Sequence, residues 1–220
     1  MRLMDKPEKF KSFRYFAKEG EKPHLFNFSE NKTKLAFAFF EKDTAGAKAV
    51  QVEVFDERMR MLWDRKHVLK ISNPEYQIHD ISVNNQGTET LLAIRSYTTG
   101  KKVQHTDSKA HLIWLTQYEQ RQYEQQIEKA WPTDIKCAFN LEGDYLMAGY
   151  YGKNADKPKL AQGSFAYKYD QRRGYLKNSS TRDFKEYETD EMVKEGLPKP
   201  SDQVAKVKAL VPMIGSNLVM

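Results

Sequence analysis

The sequence predicts an all-β protein: three consecutive four-stranded antiparallel sheets, arranged as the blades of a partial β-propeller, with a short helical C-terminal tail. Three observations lead to this prediction. Apolar residues that precede a turn recur at steps of 55 and then 56 residues, at Phe28, Val83 and Phe139. Each step contains about four short segments rich in β-branched and aromatic residues. Aromatic residues make up 12% of a polar chain, which is typical of strands with one buried face.

The repeat length is near the roughly 50 residues of kelch-type units, and about four strands per repeat indicate propeller blades. We therefore divide the 220 residues into an N-terminal segment, a repeat region of three blades, and a tail. The predicted ranges are 1–20 for the segment, 21–188 for the repeat region, about 21–73, 74–130 and 131–188 for its blades, and 189–220 for the tail. We take three residue pairs that follow the turns as equivalent positions of the three blades. They are Leu35-Ala36, Leu92-Ala93 and Met147-Ala148.

The first blade follows a segment in which Phe13, Tyr15 and Ala17 alternate like a strand. Its third strand is the clearest, because its valines alternate with polar residues. In the second blade, Asn84-Asn85-Gln86-Gly87 is a strong hairpin signal. The predicted strands are Leu25–Phe28, Leu35–Phe40, Ala49–Phe55 and one from Met61; then Ile78–Val83, Leu91–Tyr97, Leu112–Leu115 and one near Tyr123–Ile127; then Ile135–Phe139, Tyr145–Tyr151, Ser164–Tyr169 and one within Tyr175–Arg182.

Two parts of the chain depart from a simple strand pattern. Residues Gln117–Gln126 lack Gly and Pro and favour a helix in isolation, but their repeat position predicts a strand. In the tail, Thr189–Glu195 and Gln203–Ala209 are predicted to form short helices. Because three blades are fewer than the four to eight that close a ring, we expect open end blades that self-associate, and a natural protein that continues beyond Met220.

Composition limits the functional classes. The chain has 36 basic and 30 acidic residues, a net charge of +6, and these charges are dispersed, so nucleic-acid binding is predicted to be weak and nonspecific. No apolar run is long enough to span a membrane. No signal peptide is recognisable at the N-terminus, and the compartment stays undetermined. The single cysteine, Cys137, excludes an internal disulfide and is expected to be a small buried hydrophobe.

The five histidines show no metalloprotease spacing, and no catalytic, cofactor-binding or metal-binding residue is predicted. Weak candidates for a channel-facing site are His79, Asp80 and Asp134, which lie near the starts of first strands. If their strand lines a central channel, the side chains of His79 and Asp80 point alternately into the channel and into the blade. The favoured alternative places both residues at a strand end, with Asp80 in a turn or capping role. His105 and His111 are expected to flank a loop and face solvent. Residues predicted to be buried are Val52, Val54, Leu92, Trp114, Cys137 and Phe165.

Several short motifs resemble those of uncharacterised bacterial β-propeller-like repeat proteins. They are Phe139-Asn140 with Gly143-Asp144, Ala148-Gly149-Tyr150-Tyr151, Tyr169-Asp170, Val54-Phe55-Asp56 and Leu62-Trp63. The resemblance covers about residues 24–170 and implies a propeller fold, without a catalytic motif to carry over. Proteins of this family are longer and usually exported, whereas this chain has fewer repeats and no visible export signal.

The sequence favours a non-catalytic scaffold or binding module with a protein or glycan partner. The alternative is a hydrolase or lyase built on propeller loops, which a pocket with convergent carboxylates or a metal would support. The second alternative is a weak nonspecific nucleic-acid binder, which rests on the net charge. Aromatic residues such as Trp63, Trp114, Trp131, Tyr150 and Tyr151 could stack on sugars or bases, but packing between blades is the simpler expectation.

Overall fold

The structure is a computed structural model that describes residues 24–42, 48–99, 105–127, 130–140, 142–153, 161–184, 211–212 and 218–219. The strands are β1 (His24–Phe28), β2 (Lys34–Lys42), β3 (Lys48–Asp56), β4 (Met61–Val68), β5 (Glu75–Val83), β6 (Glu89–Thr99), β7 (His105–Thr116), β8 (Gln120–Gln126), β9 (Trp131–Phe139), β10 (Tyr145–Gly152), β11 (Gly163–Tyr169), β12 (Leu176–Asp183), β13 (Val211–Pro212) and β14 (Leu218–Val219). Within these ranges, no helix is long and apolar enough to cross a membrane.

The first twelve strands form three antiparallel sheets of four strands each, and every sheet keeps its strands in sequence order. The first sheet contains β1–β4, the second β5–β8 and the third β9–β12. The predicted all-β fold of three consecutive blade-like sheets is therefore confirmed. The strand prediction for Gln117–Gln126 is also right over most of its length, because β8 gains ladder hydrogen bonds from β7 that outweigh its helical propensity.

Each sheet has a front face toward the preceding sheet and a rear face toward the following one. The rear face of the first sheet packs on the front of the second, and the rear of the second on the front of the third. The first core includes Ala36, Ala38, Val50, Val52, Val54 and Trp63 against Ile81, Val83, Leu92, Ile94, Ile113 and Leu115. The second includes Leu91, Ala93, Ala110, Leu112 and Trp114 against Cys137, Tyr145, Met147, Phe165 and Tyr169. All six predicted core residues are buried.

Hydrogen bonds between neighbouring sheets follow the repeat. Partners on the first strands are about one repeat apart: Asn27 Nδ2 donates to the Ile81 carbonyl, 54 residues on, and Lys136 Nζ donates to Asp80, 56 residues back. Trp63 Nε1 donates to the Gly87 carbonyl across the first interface, at 2.7 Å. Successive sheets are therefore joined at nearly equivalent positions, as expected when each repeat contacts its neighbours.

The turn from β5 to β6 has the predicted hairpin geometry. Gly87 adopts a φ of 75°, which glycine accepts without strain, and its N–H donates to the Asn84 carbonyl at 3.0 Å. The asparagine amide also caps the turn, because Asn84 Oδ1 accepts from the N–H of Thr88. The sequence signal therefore identified both the position and the chemistry of this turn.

One detail of the predicted repeat is wrong. Equivalent positions can be counted from the hairpin of each sheet. At the same distance from the hairpin, Leu92 opposes Ile81 in the second sheet and Met147 opposes Cys137 in the third. The residue at this position in the first sheet is Phe37, which opposes Phe26. Phe37-Ala38, and not Leu35-Ala36, is thus equivalent to the other two pairs. A shift of two residues keeps the same face of a strand, so alternation alone could not exclude it.

The N-terminal segment 1–20 and the two predicted tail helices lie outside the described residues. Within the tail, the structure describes β13 and β14, which pair antiparallel.

Candidate functional site

The three candidate site residues lie on the first strands of the second and third sheets. His79 and Asp80 are in β5, and Asp134 is in β9. The ladder between β5 and β6 pairs Ile78 with Ile94 and then Asp80 with Ala93, so His79 is the extra residue of a β-bulge. The bulge interrupts the regular alternation of side chains along β5, and both side chains bond to the third sheet.

His79 forms a pair with Asp134. Its Nδ1 lies 3.1 Å from Asp134 Oδ1, and the side chains are 9% and 16% exposed. This geometry places the Nδ1 proton toward the carboxylate. His79 Nε2 is buried and forms no hydrogen bond within the described part of the structure. The pair joins the second sheet to the third at one end of the interface.

Asp80 bonds to two different residues of β9. Lys136 Nζ donates to Oδ1 and the Cys137 backbone N–H donates to Oδ2, both at 3.1 Å. Burial raises the pKa of Asp80, although Lys136 and the N–H bond act in the opposite direction. The carboxylate is thus a buried acceptor that fastens β5 to β9, at equivalent positions of the two strands.

Cys137 is buried beside this carboxylate. Its Sγ lies 3.5 Å from the Leu91 carbonyl oxygen and 3.9 Å from Asp80 Oδ2. Burial and the nearby Asp80 carboxylate raise the pKa of the thiol well above its ordinary value. A protonated thiol that donates to neighbouring oxygens is a weak nucleophile. This environment fits the predicted structural role.

The candidate residues therefore form two separate pairs, His79 with Asp134 and Asp80 with Lys136. Each carboxylate faces a basic side chain of the neighbouring sheet. In the described ranges, no three His, Cys, Asp or Glu side chains come together as a metal site would require. The pairs connect sheets, and their chemistry at this position is hydrogen bonding.

A serine–histidine contact that sequence reasoning missed lies inside the second sheet. Ser96 Oγ is 2.7 Å from His111 Nε2, Gln122 Nε2 is 3.3 Å from His111 Nδ1, and Glu124 Oε2 is 3.7 Å from the same nitrogen. The prediction that His111 faces solvent is wrong, since β7 continues through it and leaves it 1% exposed. The side chain of His105 lies outside the described ones.

This contact does not form a nucleophile site. Ser96 is fully buried, so a substrate cannot reach its hydroxyl. The amide of Gln122 donates to Nδ1 of His111, which makes Nε2 the protonated nitrogen and a donor to Ser96. A base for a serine nucleophile needs the reverse arrangement. Burial also lowers the pKa of His111 to about 4, which fits a neutral core histidine.

A second polar cluster stabilises the third sheet around Asp144. This residue is 4% exposed, and it lies 2.9 Å from Lys177 Nζ and 3.0 Å from Lys168 Nζ. Burial acts to raise the pKa of Asp144, but the two lysines hold it below its ordinary value. Lys177 also contacts Asp170 at 3.3 Å. The lysines join the β9–β10 turn to β11 and β12, on the rear side of the sheet.

The most exposed apolar surface lies on the first sheet. Five of the eight exposed large apolar residues in the described ranges belong to it: Phe26, Phe28, Met61, Leu62 and Val68. On its front face, one row crosses all four strands, because Phe28 pairs with Leu35, Leu35 with Phe55, and Phe55 with Met61. Leu35 and Phe55 are buried, whereas Phe28 is 51% and Met61 45% exposed. We call this row the front row.

Comparison with known proteins gives only distant structural matches. Neither a protein-family model nor a curated protein matches the sequence. A mutant of Synechocystis apocarotenoid oxygenase is 11% identical over 73% of this chain and 38% of its own, with a TM-score of 0.47. Its cobalt-substituted form is 10% identical over the same shares, with a TM-score of 0.48. An ACO/RPE65 chimera is 12% identical, also over 73% and 38%, with a TM-score of 0.47.

The chain spans less than two fifths of the length of these solved structures. Similarity of this extent carries no information about activity, substrate or metal. The sheets themselves define the class of the protein: the described residues form an all-β, propeller-like arrangement of three four-stranded antiparallel sheets. Membership of the bacterial propeller-like family stays a prediction.

Proposed function

We propose that this chain is a non-catalytic scaffold or binding module of propeller type, and that the front face of its first sheet binds a protein partner. The front row carries the proposal, because exposed Phe28 and Met61 stand at its two ends. In the second and third sheets, the same face is buried under the preceding sheet. Exposed apolar side chains on a face that forms an interface in the other two sheets are typical of a protein-binding site.

A protein partner is favoured over a glycan. Sugar-binding sites present exposed aromatic rings beside polar groups, but Trp63, Trp114 and Trp131 are only 6%, 7% and 9% exposed. The exposed rings of the first sheet are phenylalanines, which have no hydrogen-bonding group to offer a hydroxyl. The surface therefore suits apolar side chains of another polypeptide.

Selection from a random peptide library tests this proposal. We expect the protein to enrich peptides with apolar anchors, and we expect Met61→Ser to weaken their binding. Tyr118→Ser is the matched control, since Tyr118 is 77% exposed in the turn between β7 and β8, away from the front row. Peptides that bind Met61→Ser as well as the unmodified protein would contradict the proposal. Selective glycan binding on an array, lost in Phe28→Ser, would replace the protein partner by a glycan.

The hydrolase or lyase alternative stays a prediction. The group that would serve it is His79, which has one ring nitrogen without a partner among the described residues and the other on Asp134. Hydrolysis of generic ester or glycoside substrates that disappears in His79→Ala, with the fold intact by circular dichroism, would favour the enzyme over the binding module.

A further inference from the structure

We propose that two copies of this chain associate through β1, whose free edges pair antiparallel about a two-fold axis and join the two first sheets into one. This inference goes beyond the proposed function, because its partner is a second copy of the chain and it uses a different surface. The surface it uses is the outer edge of β1 around Phe26. Met61 lies in β4, at the opposite edge of the same sheet.

The first observation is that β1 is an edge strand in the described part of the structure. It stands at the end of the first sheet, and among the described residues it pairs with β2 alone. Edge strands in soluble proteins usually carry charges that prevent association. The other five outer strands of the three sheets do so: Arg65 lies in β4, Glu75 in β5, Arg121 in β8, Lys136 in β9 and Lys177 in β12. The strand β1, His-Leu-Phe-Asn-Phe, has no Lys, Arg, Asp or Glu.

The second observation is the exposure of its apolar residues. Phe26 is 61% exposed, whereas the equivalent Ile81 and Cys137 are 1% and 4% exposed. Phe28 is 51% exposed, whereas the equivalent Val83 is 3% exposed. In the later sheets a neighbouring sheet covers these positions. The strand β1 therefore has the composition of an interface strand. In the described part of the structure, however, no preceding sheet packs on it, as one does on β5 and β9.

A second copy matches this edge because the strand is complementary to itself. An antiparallel pair centred on Phe26 places this residue opposite its own copy, with both rings on one face. The Phe26 ring already lies 5.9 Å from the Phe37 ring, so the new pair extends an existing aromatic contact. No charged side chain of β1 is desolvated or opposed by its copy.

The other end of the repeat does not offer a complementary surface for a head-to-tail arrangement. On the rear of the third sheet, Leu146 and Ala148 are already buried, at 3% and 0% exposure. Lys168 and Asp144 form an ion pair on the same side, and β12 is exposed along its length and polar after Leu176. The association is therefore isologous and stops at two copies.

Sedimentation equilibrium of the full chain over a range of concentrations tests the proposal. We expect a reversible dimer that Phe26→Lys weakens about 30-fold or more, as for a central interface residue. Leu176→Lys is the control, because Leu176 is an exposed apolar residue on the outer strand β12 and should leave the dimer unchanged. Circular dichroism verifies that both variants are folded.

Oxidative cross-linking gives a second readout that does not depend on the stability of Phe26→Lys. A Phe26→Cys variant should form a covalent dimer through two copies of the same position, while Leu176→Cys should not. The native thiol contributes little background, because Cys137 is buried.

Three outcomes would overturn the inference: a monomer at every concentration, a dimer that persists in Phe26→Lys, or assemblies that grow beyond two copies. A monomer is also the result expected if another segment of this chain covers β1. Peptide binding that depends on Met61 would survive each of these outcomes, so failure of the dimer and failure of the proposed function are separable.

Discussion

Asp80 illustrates how this protein holds charged groups at its sheet interfaces. The carboxylate is buried, and a lysine and a backbone N–H of the next sheet satisfy its two oxygens. Its net pKa is still raised, because the loss of hydration outweighs the pair with Lys136. A buried ion pair of this kind is weak evidence for net stabilisation, but it fixes which residues meet across the interface.

Cys137 is expected to react slowly with a thiol reagent in the native protein and rapidly after unfolding. Its thiol is 4% exposed, and burial raises its pKa well above the ordinary value, so both access and the thiolate fraction are low. Labelling with a chromogenic disulfide, with and without denaturant, measures the two rates. Rapid labelling of the native protein would contradict the core assignment of β9.

The two buried histidines are expected to make stability fall with decreasing pH. Burial lowers the pKa values of His67 and His111 to about 4 from 6.5, so between these values the unfolded chain binds protons that the native protein does not. The free energy of unfolding therefore keeps the contribution of these histidines above about pH 6.5. It decreases toward pH 4, by about 2 kcal/mol per histidine at pH 5.

Urea unfolding of the unmodified protein and of His111→Gln at several pH values measures this contribution. Glutamine retains a group that can bond to Ser96 but does not titrate in this range. We expect a shallower dependence on pH in the variant. An identical slope in both proteins would show that His111 takes up its proton equally in the folded and unfolded states.

The strands of the third sheet show how packing is distributed within an element. On β11, residues alternate between buried and half-buried, and Phe165 is the buried residue that opposes Gly149 of β10. A Cβ on Gly149 would lie 2.8 Å from the Phe165 ring and 2.0 Å from the Asp134 carbonyl oxygen. The absent side chain thus creates the space that the phenyl ring occupies.

Phe165→Ala is expected to lower the free energy of unfolding by about 3–5 kcal/mol, the usual cost of removing a buried phenyl ring. The residue is 1% exposed and belongs to the core between the second and third sheets. Denaturant unfolding measures the change, and Phe28→Ala is the matched control because its ring is half exposed. A loss below about 1 kcal/mol would mean that β11 contributes little to this core.

For the whole molecule, the net charge of +6 predicts only weak binding to nucleic acid. The described basic residues are distributed over all three sheets, and several are paired, as Lys136 is with Asp80 and Lys177 with Asp144. We expect nonspecific binding that declines steeply with salt, because it depends on displacing counterions from phosphates. Fluorescence anisotropy with duplexes of different sequence tests this. Tight binding of one sequence at physiological salt would promote the nucleic-acid alternative.

The described residues form three four-stranded blade-like sheets, fewer than the four to eight that close a propeller. Within the described residues, the two end faces differ. The front of the first sheet exposes phenylalanines, whereas the rear of the third sheet buries Leu146 and Ala148 and carries the ion pair of Lys168 with Asp144. The two ends therefore call for different partners, and the proposals above concern the first end.

The sequence by itself determined the strands, their grouping into three units and most of the core. These features follow from local rules: alternation shows which side of a strand is apolar, as in Val52 and Val54, and turn residues such as Gly87 show where the chain reverses. The recurrence of the pattern at 55 and 56 residues then indicated that the units repeat. None of this information depends on contacts that are distant in sequence.

Only the tertiary structure decided what the candidate site residues contact. The bulge at His79 depends on the register with β6, and it directs both His79 and Asp80 to the third sheet. His111 is buried because β7 continues through it, and β8 supplies Gln122 to its ring. The exposure of Phe26 likewise depends on which sheet lies in front of β1. Register and neighbours are set by pairing between segments about one repeat apart, which a local pattern of polar and apolar residues cannot specify.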